Sequence, residues 1–186
     1  MKNNMFVLVG PSRAGKSTLI KAATNAIPDS LEIIKATVTR PRRENEKDDD
    51  LFNYFITVKD FAKKMNDGLF IEAAGYAGNY YGYEHRIIRN TLEHKHGICA
   101  CTEDGILTLI NAEYSLIPIK IAPVGAEYVR IGDNFYEKFP EHKVADQMRA
   151  KIPIDYKIEV VNSFGPGGLE KAAEDLIRFI KGFIKP

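Results

Sequence analysis

The sequence predicts an α/β fold, a three-layer structure with a parallel sheet and helices on both faces. Strand-like and helix-like segments alternate along its 186 residues, as they do in sheets built from crossover units. The apolar run at residues 5–9 leads through a glycine-containing loop into a helix-like segment at 17–25. The alternation and this strand–loop–helix opening together indicate the α/β class.

Residues 10–18 read Gly-Pro-Ser-Arg-Ala-Gly-Lys-Ser-Thr and fit the phosphate-binding pattern G-x-x-x-x-G-K-[ST]. Gly10 and Gly15 let the backbone curl so that successive N–H groups point at one anion, and the following helix N-terminus adds positive potential. Lys16 can reach the β- and γ-phosphates of ATP, and the Ser17 hydroxyl can ligate Mg²⁺. The alternative is a chance glycine-rich turn, which the flanking strand and helix argue against. We therefore predict a P-loop that binds ATP through Gly10, Pro11, Ser12, Arg13, Ala14, Gly15, Lys16, Ser17 and Thr18.

The remaining elements are assigned from apolar periodicity and turn residues. The Thr57 hydroxyl, with Asp60 three residues later, is a capping signal for a short helix that ends at Asn66. We predict further strands at 31–39, 51–57, 98–102, 116–122 and 156–162, and an extended stretch at 69–83. We predict further helices at 84–93, 104–112, 141–151 and 169–184.

A helix that starts at 125–130 is predicted to give way to the polar, aromatic stretch 132–140. We expect that stretch to be irregular and to form a mobile lid. The predicted organisation is one domain over 1–186. It has a core of 1–35, 97–130 and 141–186, a small acceptor-binding insert at about 36–96, and a lid at about 131–140.

Composition argues against several functional classes. Hydrophobic residues make up 45% of the chain and charged residues 27%, and the formal net charge is +1. Without a basic excess we expect no nucleic-acid partner, and without about 18 consecutive apolar residues we expect no membrane span. No secretory signal opens the chain, and Cys99 and Cys101 are expected to be buried, reduced thiols on one face of a strand. These observations predict a cytoplasmic protein.

A second anion site is predicted just beyond the strand at 31–39. Arg40, Arg42 and Arg43 follow its carboxyl end, where open α/β sheets place their ligands. Arginine forks suit phosphate oxygens, so two or three of them could clamp a phosphomonoester. The alternative is a solvated basic loop balanced by the acidic residues of 44–50.

These segments resemble guanylate kinases, whose P-loop typically reads Gly-Pro-Ser-Gly-x-Gly-Lys-Ser-Thr. Residues 39–44, Thr-Arg-Pro-Arg-Arg-Glu, are similar to the family's Thr-Arg-x-Pro-Arg-x-Gly-Glu. Phe70-Ile71-Glu72 and residues 78–82, Gly-Asn-Tyr-Tyr-Gly, are similar to its Phe-[Ile/Leu]-Glu and Gly-Asn-x-Tyr-Gly. Order and approximate spacing hold across residues 5–83, with weaker similarity at 121–123 and 160–162. The P-loop is common to many families, so the second pair of motifs is the specific part.

The resemblance implies an ATP- and Mg²⁺-dependent kinase that moves the γ-phosphoryl group of ATP onto GMP. It implies that Arg40, Arg43 (or Arg42) and Tyr81 hold the acceptor phosphate. It also implies that Glu72 accepts hydrogen bonds from the guanine N1–H and 2-amino groups, which adenine could not offer.

Further roles follow from the family pattern alone. Thr37, Tyr54 and Thr102 fall at or beside acceptor-binding positions, and Asn162 falls on the adenine side of ATP. Besides Lys16, Arg40 and Arg43, the catalytic set includes two candidate lid arginines, Arg130 and Arg149.

The sequence departs from the family on the base side of the acceptor pocket. Tyr83 replaces a Ser or Thr, Ala36 replaces a small hydroxyl residue, and Thr102 lies near a position usually held by Asp. The lid region also has fewer arginines than the family carries. Phosphate recognition therefore looks intact, whereas base recognition and part of the catalytic charge look altered.

Three functions stay open from the sequence. The first is a GMP kinase, working as a monomer or homodimer on small-molecule substrates. The second is a kinase for another small phosphorylated acceptor, such as a ribose bisphosphate, favoured by Tyr83 and Thr102 and opposed by Glu72. The third is a non-catalytic module that binds a phospho-ligand, opposed by the intact Lys16-Ser17 pair.

Overall fold

The structure, a computed structural model, describes residues 3–43, 46, 50–76, 78–112 and 114–184. Its strands are β1 (Asn4–Val9), β2 (Leu31–Ile33), β3 (Ala36–Val38), β4 (Asn53–Phe55), β5 (Phe70–Tyr76), β6 (Asn79–Glu84), β7 (His96–Ala100), β8 (Ser115–Val124) and β9 (Ile158–Ser163). Its helices are α1 (Lys16–Ala26), α2 (Val58–Asn66), α3 (His85–His94), α4 (Glu103–Ile110), α5 (Ala126–Lys138), α6 (Pro140–Arg149) and α7 (Gly168–Lys181).

The first sheet contains five parallel strands in the order β2-β7-β1-β8-β9. β1 lies at its centre, and residues 5–9 are fully buried. A strand covered on both faces requires a continuous apolar run, which is what this segment supplies. The carboxyl ends of β1, β7 and β9 meet at one edge, so the loop at 10–15, Thr102 and Asn162 are brought to the same edge.

Alternate residues of β1 enter two separate cores on opposite faces of the sheet. Phe6 and Leu8 pack with apolar residues of α1 and α7, whereas Met5, Val7 and Val9 pack with those of α3 and α4. Helices therefore cover both faces of a parallel sheet, and the predicted three-layer α/β class is confirmed.

The second sheet contains four strands in the order β4-β3-β6-β5. β3 pairs parallel to β4 and antiparallel to β6, and β5 and β6 form an antiparallel pair. The extended stretch predicted at 69–83 is this β5–β6 pair. The second sheet lies within the predicted insert, and the division of the chain into core, insert and lid stays a prediction.

The prediction of a single strand at 31–39 is wrong, because the chain passes from the first sheet to the second in the middle of this segment. The Ile34 N–H donates to the Ile98 carbonyl in the first sheet, whereas the Ala36 N–H donates to the Phe52 carbonyl in the second, both at 2.9 Å. Lys35 lies at the crossing, and its ammonium donates to the Asp50 carbonyl at 2.7 Å. Apolar residues lie on both sides of Lys35, Ile33 and Ile34 before it and Ala36 after it, so the sequence pattern shows no break.

The prediction of an irregular segment at 132–140 is also wrong, because α5 continues to Lys138 and α6 begins at Pro140. The aromatic residues that suggested a loop pack against one another. The Phe135 ring lies 5.1 Å from that of Phe139 and 5.0 Å from that of His142, centroid to centroid. Tertiary packing of this kind stabilises a helix whose intrinsic propensity is modest.

The structure also tests the predicted cap of α2 and the predicted state of the two cysteines. The predicted cap of α2 is confirmed, since the Thr57 hydroxyl accepts a hydrogen bond from the Asp60 N–H at 3.1 Å. Cys99 is buried and Cys101 is half-buried, and neither forms a disulfide. No helix within the described ranges combines the length and apolar character needed to cross a bilayer.

We predict that Gly168→Ala destabilises the fold by about 2–3 kcal/mol, because a Cβ there would lie 1.7 Å from the Ser163 carbonyl oxygen. That oxygen belongs to the backbone at the end of β9 and cannot move aside. Gly165→Ala in the same turn is the control, since its Cβ would meet nothing within 4 Å, and we expect a change below about 1 kcal/mol. Urea unfolding measures both variants, and equal effects would contradict this account of the turn.

Candidate functional site

One cleft of about 820 Å³ joins the predicted ATP site to the predicted acceptor site. We call it the main cleft. Its walls come from the loop after β1, from the second sheet, from the start of α4 and from α6. The predicted site residues that line it are Gly10, Ser12, Arg13, Ala14, Gly15, Lys16, Ser17, Thr18, Arg40, Arg43, Glu72, Tyr81, Thr102, Arg149 and Asn162.

Close packing holds the P-loop in its curled form. A Cβ on Gly10 would lie 2.5 Å from the Ile121 carbonyl oxygen, so only glycine fits there. Gly15 has a φ of +88° at the N-cap of α1, and a Cβ there would lie 2.6 Å from Asn162 Nδ2. The same Asn162 amide donates to the Ala14 carbonyl at 3.0 Å. In this structure Asn162 therefore braces the loop from β9.

Lys16 is a half-buried cation held by its own loop. Its ammonium donates to the carbonyls of Gly10 and Pro11 at 2.6 and 2.8 Å. Burial lowers the pKa of Lys16 to about 8, and the nearby carboxylates of Asp146 and Glu103 oppose that shift. The loop thus holds a positive charge in a place poorly solvated by water, where a phosphate would interact with it strongly.

Asp146 of α6 links three parts of the molecule at the mouth of the P-loop. Its carboxylate accepts the Ser12 N–H at 2.8 Å and the hydroxyls of Tyr76 and Tyr136 at 2.9 and 2.8 Å. Tyr76 belongs to the second sheet and also contacts Ser12 Oγ and His142 Nδ1, both at 2.9 Å. A single carboxylate therefore ties α5, α6 and the second sheet to the P-loop.

The acceptor-side arginines gather around Glu46 and Tyr81. Arg40 makes two bonds of 2.6 Å to the Glu46 carboxylate, which also accepts the Arg43 N–H at 2.8 Å. Burial raises the pKa of the Tyr81 hydroxyl, and the positive charges of Arg40 and Arg43 oppose that rise because they lie close to it. Arg43 lines the main cleft, whereas Arg42 lies over the Phe55 ring and lines a neighbouring cleft.

Glu72 of β5 is a buried carboxyl group, 5% exposed. It lies against the first turn of α4, where a Cβ on Gly105 would be 2.9 Å from Glu72 Oε1. Burial raises the pKa of Glu72 to about 7, the charge of Asp104 raises it further, and Arg149 opposes both. Near neutral pH this group can exchange between a neutral form and an ionised form that accepts hydrogen bonds.

Arg149 of α6 is held in place by hydrogen bonds, but one nitrogen of its guanidinium has no hydrogen-bond partner among the described residues. Its Nε donates to Asp104 Oδ1 at 2.8 Å, and its guanidinium lies 4.7 Å from the centre of the Tyr76 ring. Within the described ranges, Arg149 Nη1 is the one buried side-chain nitrogen or oxygen atom without a hydrogen-bond partner. A buried donor of this kind is suited to an anionic ligand in the cleft.

The residues that depart from the family pattern form part of the cleft wall. Tyr83 is 6% exposed, and its hydroxyl donates to the Ala100 carbonyl at 2.6 Å. Thr102 accepts the Gly105 N–H at 3.4 Å and caps α4. Burial raises the pKa of the Cys99 thiol to about 12, so this thiol adds no charge to the wall.

Four predicted residues are not among those that line the main cleft. Thr37 is fully buried, and its hydroxyl donates to Glu84 Oε1 at 2.6 Å. Tyr54 is 47% exposed, with the Lys35 ammonium over its ring. Arg130 is exposed and paired with Glu127 at 2.6 Å, and Pro11 contributes its carbonyl to Lys16. Their binding roles stay predictions.

Several residues of the cleft were missed from the sequence. Asp146, Tyr76, His142 and Glu103 all line it. Asp146 and His142 lie on a helix whose spacing was recognised, but nothing in that spacing indicates that one face meets the P-loop. Tyr76 lies in a tyrosine-rich stretch where the family pattern points to Tyr81 and Tyr83 but not to Tyr76. Within the described ranges, no group of three or more His, Cys, Asp or Glu residues could hold a metal ion.

Comparison with known proteins agrees with this geometry. A guanylate kinase from Paraburkholderia xenovorans (strain LB400) is 39% identical over 95 residues, which are 51% of this chain and 41% of that protein. A guanylate kinase from Thermotoga maritima is 25% identical over 186 residues, 100% of this chain and 87% of that protein. The crystal structure of guanylate kinase from Anaplasma phagocytophilum has a TM-score of 0.68 at 17% identity, over 98% of this chain and 86% of that chain. This structural likeness shows the fold.

The sequence matches are longer in some relatives than in others. For the Paraburkholderia protein and one from Shewanella denitrificans (34% identical over 91 residues, 49% of this chain), the chain spans less than half the relative's length, 41% and 44%. The sequence model of the guanylate kinase family matches residues 2–181. Because that match extends over nearly the whole chain, the chain belongs to the guanylate kinase family.

Proposed function

We propose that this protein transfers the γ-phosphoryl group of ATP to GMP and releases ADP and GDP. The observation that carries the proposal is the single cleft in which the P-loop faces Arg40, Arg43, Tyr81 and Glu72. Phosphoryl transfer needs two substrates held in line and their charge neutralised, and it needs little covalent chemistry from the protein. One cleft with two phosphate-binding ends meets that need.

Each end of the cleft is assigned one substrate. The P-loop, with the Lys16 ammonium, binds the triphosphate of ATP, and the Arg43 guanidinium with Arg40 and Tyr81 binds the phosphate of GMP. In the transfer, an oxygen of the GMP phosphate forms a bond to the γ-phosphorus. The bond from that phosphorus to the β,γ-bridging oxygen breaks, and its electron pair leaves with ADP.

The acceptor base is assigned to Glu72. Its ionised carboxylate would accept hydrogen bonds from the guanine N1–H and 2-amino groups, and adenine would leave the buried carboxylate unpaired. Tyr83 is compatible with this assignment, because its hydroxyl is already bonded to Ala100 and its ring forms part of the wall. Tyr83 and Cys99 add no charge to this wall, so Glu72 is the main base-reading group.

The residues present fit a magnesium ion bound together with ATP. The Ser17 hydroxyl and the Glu103 carboxylate both line the main cleft, and Mg²⁺ prefers oxygen ligands from one or two side chains plus substrate phosphates. When bound, the ion would neutralise charge on the β- and γ-phosphates.

A small-molecule enzyme of this type also agrees with the predicted cytoplasmic location and the predicted absence of nucleic-acid and membrane partners, which stay predictions.

An acceptor panel tests the proposed function. We expect turnover with ATP and Mg²⁺ to be highest with GMP, and lower by at least about 10²-fold with AMP, CMP or UMP, since none of these bases offers Glu72 the adjacent N1–H and 2-amino donors of guanine. A coupled assay of ADP release measures each rate. A higher rate with a ribose bisphosphate, or equal rates with all nucleotides, would contradict GMP as the acceptor.

We predict that Lys16→Ala lowers kcat by at least about 10²-fold, because it removes the cation that neutralises the transferring phosphoryl group. The melting temperature should not fall, since burial already disfavours the charged form of Lys16. Lys21→Ala, an exposed position on the same helix, is the control and should keep wild-type turnover. Equal rates in the two variants would remove Lys16 from the mechanism.

The raised pKa of Glu72 predicts a pH dependence of GMP binding. The ionised fraction rises about tenfold between pH 6 and pH 8 for a pKa of about 7. Because the ionised form accepts both guanine donors, KM for GMP should fall about tenfold over this range. Glu72→Gln should raise KM for GMP and abolish the slope, while KM for ATP changes little. A slope that persists in Glu72→Gln would assign it to another group.

A further inference from the structure

Arg13 has an unusual backbone conformation within the P-loop. Its φ is +64°, and in the described part of the chain no other residue except glycine has a positive φ. This left-handed conformation crowds the Cβ of an L-residue against its own backbone, so glycine normally occupies it. Strain of this kind persists where surrounding structure enforces it, and it is concentrated at functional sites. The loop therefore keeps an arginine where glycine would be more stable.

The Arg13 side chain lines the main cleft beside α5. Its guanidinium is 4.8 Å from the centre of the Phe135 ring on α5. With Arg43 it lines both the main cleft and the neighbouring cleft beside Lys138. Burial lowers the pKa of His142, and the charges of Arg43 and Arg13 lower it further, so both arginines lie close to that ring. Arg13 thus belongs to the P-loop and lies close to the same ring as Arg43, the arginine assigned to the acceptor phosphate.

Carboxylates already hold the side chains of three other candidate arginines. Arg40 is paired with Glu46, Arg149 with Asp104 and Arg130 with Glu127. Within the described ranges, the Arg13 side chain makes no ion pair and no hydrogen bond, and the Phe135 ring is its contact. Arg13 is also exposed, so a nucleotide can reach it. It can bind a new anion without first giving up a carboxylate.

We propose that Arg13 is a catalytic residue whose guanidinium binds the γ-phosphoryl group of ATP and holds it during transfer. This inference rests on the proposed function. As the bond to the β,γ-bridging oxygen breaks and the bond to the acceptor oxygen forms, negative charge is spread over the oxygens of the moving group and the β-phosphate. An arginine at this point stabilises that charge, and the P-loop itself supplies what a lid arginine would otherwise provide.

Arg13→Gly separates a catalytic role from a structural one. The variant relieves the backbone strain, so its melting temperature should rise by about 2–4 °C. It also removes the guanidinium, so kcat should fall by at least about 10²-fold while KM for the acceptor changes less than about threefold. Arg13→Lys keeps a charge without the planar fork and should recover only part of kcat. Arg178→Ala, an exposed arginine on α7, is the charge-removal control and should keep wild-type kcat.

Nucleotide affinity gives a second readout that does not depend on turnover. In Arg13→Gly, Kd for ATP should rise about tenfold or more, because a charge-assisted hydrogen bond to the γ-phosphate is lost. Kd for ADP should change less than about twofold. The proposal is overturned if ATP and ADP affinities change equally, if kcat stays within about threefold of wild type, or if the melting temperature and both affinities fall together.

The failure of this proposal can be told apart from the failure of the proposed function. If the wild-type enzyme uses an acceptor other than GMP, the GMP assignment fails, and the kcat comparison is made with that acceptor. If no acceptor in the panel is used, the proposed function fails, and the ratio of ATP to ADP affinity decides the role of Arg13.

Discussion

Positive charge concentrated in one cleft is the constraint on which the rest of this structure depends. Lys16, Arg13, Arg43 and Arg149 all line the main cleft, and cations that share one cleft need counter-charges. Asp146 supplies one of them at the P-loop, where its carboxylate accepts the Ser12 N–H. The same carboxylate binds tyrosines of the second sheet and of α5, so the charge balance also holds the walls of the cleft together. Nucleotide phosphates would therefore enter a cleft in which carboxylates already balance part of the positive charge.

The second sheet shows how the base side can depart from the family pattern while the phosphate side does not. Glu72 is fixed on β5 against the start of α4, and Tyr83 on β6 is bonded to the end of β7. A tyrosine that directs its hydroxyl to a backbone carbonyl adds a wall without adding charge. Phosphate binding, by contrast, needs charges at fixed points, and Arg40 and Arg43 are positioned through Glu46. The shape of the base side of the cleft can therefore differ from the family pattern while the charges of the phosphate side stay in place.

The elements with strong local signals were predictable, and those that depend on tertiary contacts were not. The P-loop, the central strand β1 and the Thr57 cap follow from motif, apolar run and side-chain chemistry. The break between β2 and β3 was missed because apolar residues lie on both sides of Lys35, so the sequence pattern shows no interruption there. The length of α5 was missed because ring contacts with α6 stabilise it. Asp146 was missed because its partners, Ser12, Tyr76 and Tyr136, come from three different segments of the chain. Charge clusters assembled across a cleft leave no periodic trace in the chain.

Binding of a bisubstrate analogue, adenosine and guanosine linked through five phosphates, tests most directly whether one cleft holds both substrates. Calorimetric titration of the wild-type protein should give one analogue per chain, with an affinity at least about 10²-fold above that for ATP or for GMP alone, because linked groups bind at high effective concentration. An analogue that binds no more tightly than ATP, or binds two per chain, would contradict a cleft with facing phosphate sites.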